Sequence, residues 1–159
     1  MSNIDHRTKQ VIFTRQDSGD FAIQVQREKC VRVEDEAFTK PDRVLTIAVS
    51  EHLADSVTLS TGRVVTLTTL MQVFAAFGEL WDAGGRTASI VLNTPAESLY
   101  SVMCIRQRQN EHGEWENSLV PSFTLAELSD QVVQVGGEAW EVSGVGESVR
   151  LFCDLWAGD

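Results

Sequence analysis

His52 stands between Glu51 and Asp55, with Ser50 and Ser56 close by, in a polar stretch joining two apolar runs. An imidazole among carboxylates and hydroxyls is raw material for acid-base or nucleophilic chemistry. That chemistry also needs the base within hydrogen-bond reach of a nucleophile and a third group to orient it. Nearness in sequence supplies none of this, and a polar connection holds such residues by composition alone, so His52 is expected to be a loop residue. Cys104 is the other candidate nucleophile. Between Met103 and Ile105 its thiol should lie in apolar surroundings, which raise its pKa and leave it inert. Cys30, Cys104 and Cys153 are odd in number and widely spaced, which fits neither a disulfide framework nor paired metal ligands. All three are expected to be reduced thiols.

A second cluster, Glu111, His112, Glu114 and Glu116, raises divalent-metal binding, but it lacks a repeated ligand spacing. The glycine pairs Gly136-Gly137 and Gly144-Val145-Gly146 lie between strand patterns and not ahead of a helix, so they read as turns and not as phosphate cradles. Of Trp81, Trp115, Trp140 and Trp156, the first falls on a helical core stripe. Trp115 and Trp140 lack the basic sequence neighbours that a nucleic-acid stacking platform wants. No catalytic residue, cofactor or metal site is expected.

Charge says more than motif. The net charge of the 159 residues is -10. Residues 1–63 carry nine Lys or Arg against ten Asp or Glu, whereas residues 64–159 carry four against thirteen. From Glu111 onward there are ten carboxylates and one cation, Arg150. Such a field repels nucleic-acid phosphates and membrane surfaces, and suits a basic protein partner or plain solubility. No apolar run approaches the ~20 residues of a membrane span, and the first residues lack a signal peptide's apolar core. The expected location is the cytoplasm.

The elements that must position these residues are organised around residues 66–85. Leu67, Leu70, Met71, Phe74, Phe77 and Trp81 recur at steps of three and four, which predicts one main helix over 66–83, buried on most of its circumference. Thr66 or Thr68 can cap it, and Gly84-Gly85 can end it. Gly78 inside it costs ~1 kcal/mol relative to Ala, which makes sense if another backbone passes close by. The remainder reads as strands. Residues 1–10 are expected to form a polar arm preceding a single domain over 11–159. Phe21, Ile23 and Val25 alternate with Gln24 and Gln26, and this parity runs on through Val31 and Val33, as in one long strand with a kink near Glu28. Residues 38–43 read as a loop, 44–49 as a strand covered on both faces, and 56–65 as a hairpin turning at Gly62. Strands follow at 87–92 and 98–108, the latter apolar on both faces to Ile105 and polar from Arg106 onward. A strand leaving the core for solvent has that pattern, so residues 106–118 are expected to project as a hairpin turning at Asn110-Glu111-His112-Gly113. A short helix over 122–130 capped by Thr124, and strands at 131–135, 138–142 and 148–156, complete the chain.

The expectation is thus an α+β fold: mostly antiparallel sheets, sandwich-like or partly closed, packed on the main helix. For function, long strands, a projecting hairpin and one-sided charge without a site point to a non-catalytic assembly subunit. It would associate with copies of itself or with neighbouring proteins, as subunits of virion tubes, baseplates and connectors do. The expected contact arm is Arg106, Arg108, Glu111, His112, Glu114, Trp115 and Glu116. The alternatives are an acidic nucleic-acid-mimicking inhibitor of a basic protein, and a small enzyme using His52 or Cys104.

Overall fold

A computed structural model describes residues 2–81, 84–96, 99–119, 122–124, 127 and 131–158. Strands β1 (Ser2–Arg15), β2 (Phe21–Val33) and β3 (Glu36–Ala48) form a meander. A hairpin of β4 (Ser56–Thr58) and β5 (Val64–Thr66) leads into helix α1 (Leu67–Trp81). Next come β6 (Arg86–Ala96), β7 (Leu99–Gln109), β8 (Trp115–Leu119) and β9 (Ser122–Thr124). A second hairpin, β10 (Val132–Val135) and β11 (Glu138–Glu141), precedes helix α2 (Val142–Ala157). The main sheet runs β3-β2-β1-β6-β7-β8, with β9 also on β7, and its strand pairs are antiparallel. The α+β class, a largely antiparallel sheet on a main helix, is therefore the one the chain adopts.

Register explains where the core sits. Ile47, Ile23, Phe13, Ile90 and Cys104 form one row of cross-strand partners, and Val25, Val11, Leu92 and Val102 form the next. Since side chains alternate faces along a strand, both rows point the same way. All nine residues are buried, against Leu67, Leu70, Val73, Phe74 and Phe77 of α1 and Val149, Phe152 and Cys153 of α2. On the opposite face Gln24 and Thr46 are exposed, and Ile12, Val91, Met103 and Ile105 are half-buried.

Several expectations change. Ser2 to Gln10 are strand where an arm was expected, pairing with β2 as far as Val33. Residues 38–43 are strand, and Val44 is exposed, so β3 is covered on one face only. The long β2 does carry its irregularity, between Gln26 and Glu28, beside one between Thr8 and Gln10 in β1. β6 continues past the expected stop to Ala96. Ser122–Thr124 is strand where a capped helix was expected; the rest of that stretch, except Glu127, lies outside the described residues, as does the side chain of Trp81.

The largest difference is at the end of the chain, where residues 142–157 are helix and not turn plus strand. Val142, Val149, Phe152, Cys153 and Ala157 are buried at helical spacing. Gly144 and Gly146 fall inside this helix, while Gly158, at φ +72°, ends it with its N–H on the Asp154 carbonyl. Gly136 and Gly137 do form the expected turn, both at positive φ.

At the start of α1, Thr66 Oγ1 accepts the Thr69 N–H at 3.1 Å, as the sequence predicts. The thiols also follow expectation in setting: Cys104 and Cys153 are buried, and burial raises both, that of Cys153 to about 12. Cys30 is half-buried. A maleimide reagent at neutral pH is therefore expected to label Cys30 first and the other two only slowly, as read by peptide mass. Rapid labelling of Cys104 would contradict the packing of β7 beneath α1.

Candidate binding site at the hairpin root

The expected hairpin forms from β7 and β8, with Gln109 opposite Trp115, Arg108 opposite Glu116 and Gln107 opposite Asn117. β6 begins at Arg86, opposite Gln107, so beyond that point the hairpin has no third strand among the described residues. Arg108, Glu111, His112, Glu114, Trp115 and Glu116 are exposed. The turn is held by its own chemistry. Asn110 Oδ1 accepts the N–H groups of His112 (2.9 Å) and Glu114 (3.0 Å), and its Nδ2 donates to Glu116 Oε1 at 2.9 Å. Gly113, at φ +77°, supplies the left-handed step.

Arg106 departs from its expected place. It shares the parity of Val102 and Cys104 on β7, so its side chain points under α1 and not outward. It is only 1% exposed. Nη1 donates to Thr87 Oγ1 at 2.8 Å, and Nη2 reaches Glu79 Oε1 on α1 at 3.3 Å. Gly78 lets the guanidinium in: a Cβ there would stand 2.8 Å from both Arg106 Nη1 and Thr87 Oγ1. The close approach that Gly78 predicts is real, but a side chain makes it and not a backbone.

Two further arginines converge on this place. Arg15, at the end of β1, donates from Nε to the Thr87 carbonyl at 2.9 Å and lies 4.8 Å from the Phe21 ring centroid. Arg86, at the start of β6, donates from Nε to Gln107 Oε1 at 3.2 Å and lies 3.9 Å over the Trp115 ring. With Glu79, Phe21, Met71, Phe74 and Ile90, the three arginines line a cavity of about 280 Å³. Burial lowers the Arg15 pKa, and the nearby charges of Arg86 and Arg106 lower it further.

Arg15, Arg86, Thr87 and Glu79 were not among the sequence candidates. Arg15 and Arg86 sit where β1 ends and β6 begins, and only the antiparallel register brings those ends together with Arg106. Trp115 and Trp140 do have basic neighbours: Arg63 lies 3.3 Å over Trp140, as Arg86 does over Trp115. In each case a guanidinium covers one face of the indole that a stacking base would use.

The other candidate chemistry is disposed differently. His52 Nδ1 lies 2.8 Å from Asp55 Oδ2, which also accepts the Trp156 indole N–H at 2.9 Å. The bonds from Trp156 and then His52 hold the Asp55 carboxyl below its ordinary range. Ser50 gives its hydroxyl to Asp20 at 2.7 Å, so it does not serve His52. Cys104 is hidden beside Thr87, at 3.8 Å from its hydroxyl. His52 and Asp55 thus fasten the loop before β4 to α2. Among the described residues, no three His, Cys, Asp or Glu side chains converge as metal ligands, and no helix is long and apolar enough to cross a membrane. No protein-family model, no curated protein and no solved structure matches the chain.

Proposed function

We propose that the chain is a non-catalytic assembly subunit that associates with copies of itself, using the β7–β8 hairpin as contact arm. The observation that supports this is a hairpin that is both exposed and rigid. Its tip covers no core, yet Asn110 spends three hydrogen bonds on fixing it and Trp115 is stacked on Arg86. A pre-ordered arm loses less conformational freedom on docking than a loose loop does.

The opposite end of the sheet offers an exposed apolar surface. β2, whose thirteen residues extend about 40 Å at ~3.3 Å per residue, carries the β2–β3 turn at the end away from the arm. There Val33 and Phe38 are exposed, with Arg32 and Lys40 beside them and Glu34, Asp35 and Glu36 at the turn itself. The exposed Trp115 of the arm would rest on the apolar Val33 and Phe38 of the next copy. A head-to-tail contact of that kind closes into a ring or runs on as a tube. A virion tube or connector is one setting that uses such a contact. The inhibitor alternative is less favoured, because at least four of the ten carboxylates after residue 110 are engaged internally. Glu116 binds Asn110, Glu138 binds Arg63, Glu147 binds Ser60 and Asp154 binds Arg27.

Replacing residues 110–114 by Asn-Gly keeps the Gln109–Trp115 register and is expected to change monomer stability by less than about 1 kcal/mol. Sedimentation of the parent protein over a wide concentration range should reveal assemblies that the shortened protein does not form. A parent that stays monomeric throughout, or a shortened protein that assembles equally well, would remove the support for this reading.

A further inference from the structure

We infer that the cavity at the hairpin root binds a small organic anion, its carboxylate gripped by Arg15 and Arg86 and its apolar body resting on Phe21, Met71, Phe74 and Ile90. Residues 64–159 hold only four cations, and two of them, Arg86 and Arg106, are spent on lining this one cavity, where β1 adds Arg15. In a chain of net charge -10 that concentration is the reverse of the overall field.

The two outer arginines are prepared in the same way. Each is fixed through Nε, Arg15 on the Thr87 carbonyl and Arg86 on the Gln107 amide, and each lies against an aromatic ring. This immobilises the planes of both guanidinium groups, while the terminal nitrogens of both are not engaged by any described residue. Two fixed forks suit a carboxylate, which accepts paired, charge-assisted bonds of this shape. Arg106 is committed to Thr87 and Glu79 and so supplies field, not direct contact.

Glu79 is the built-in competitor. Its side chain is half exposed, one oxygen lies 3.3 Å from Arg106 and the other accepts the Gly84 N–H. The volume of about 280 Å³ is close to the lower end of the ~300–1,000 Å³ typical of ligand pockets. It suits a short aliphatic or aromatic monocarboxylate and is too small for a dinucleotide. The inference does not depend on the assembly reading, since it concerns the inner side of the hairpin root and not the tip.

The test is calorimetric titration of the whole chain with octanoate, alongside octanol and inorganic phosphate. Octanoate is expected to bind, octanol and phosphate to bind far more weakly. R15Q and R86Q are each expected to weaken octanoate by roughly tenfold or more, the worth of a lost charge-assisted bond. E79Q is expected to tighten it by roughly twofold to fivefold by removing the competing charge. Circular dichroism checks that each variant folds. Should R15Q fail to fold, R86Q and E79Q, which alter partly exposed side chains, still decide the matter. The inference is overturned if octanoate does not bind, if octanol or phosphate binds as tightly, or if R86Q and E79Q leave the affinity unchanged.

Discussion

Phe74→Ala is expected to lower the stability of the chain by about 3–5 kcal/mol. Phe74 is 3% exposed and meets Phe13 of β1 edge to face, with ring centroids 5.3 Å apart at 67°. It therefore joins α1 to the centre of the sheet, where Phe13 lies between Ile23 and Ile90. Truncation removes the buried ring and leaves a void that a strand row fixed on both sides cannot collapse into. Against a typical total of ~5–15 kcal/mol, that loss is a large part of the margin. Denaturant unfolding measures it. The exposed neighbour Ala75 is the control, where Ala75→Ser should change stability by no more than ~0.5 kcal/mol. A loss below ~1 kcal/mol at Phe74 would mean that α1 does not pack through this face.

Gly78→Leu is expected to cost about 2–4 kcal/mol, although leucine is the better helix former by up to ~1 kcal/mol. The sign is decided by space. A Cβ at residue 78 would be 2.8 Å from Arg106 Nη1 and 2.8 Å from Thr87 Oγ1, both buried. The new side chain must push the guanidinium off its bond to Thr87, leaving buried polar groups poorly satisfied, and that alone costs ~1–3 kcal/mol. Leucine is chosen because it has no β-branch, so a loss cannot be ascribed to helix propensity. Thermal unfolding is a sufficient measurement. A stabilised variant would show that Arg106 can leave its place at little cost, and would weaken the account of the cavity behind it.

What the sequence made legible was local. The period of α1, its Thr66 cap, the kink in β2 and the turns at Gly62, Asn110-Gly113 and Gly136-Gly137 each follow from residues within one element or one turn. α2 was read instead as a turn plus a strand, although Val142, Val149, Phe152 and Cys153 do follow a helical period. Gly144 and Gly146 suggested a turn, and the shorter run Val149-Leu151-Cys153 also alternates as a strand would. Helix burial against β1 and β4 decides between them, and that is tertiary information. The site was hidden for a different reason. Arg106 opens a polar run, so it reads as the place where β7 enters solvent, whereas its parity with Cys104 places it beneath α1. Arg15 and Arg86 are 71 residues apart, and nothing local marks them as neighbours. Gly78 was the one residue whose cost demanded a close approach, and it marks the spot.

The irregularities in β1 and β2 lie side by side, because Thr8 pairs with Arg27 and Gln10 with Gln26. Mechanically, the three strands beyond them form a cantilever whose root is strutted to the last turn of α2. Arg27 reaches Asp154 at 3.0 Å, and Arg43 donates to the Ala157 carbonyl. A pull at the Glu34-Asp35 tip would accordingly reach the carboxyl end of α2 as well as the sheet rows under α1.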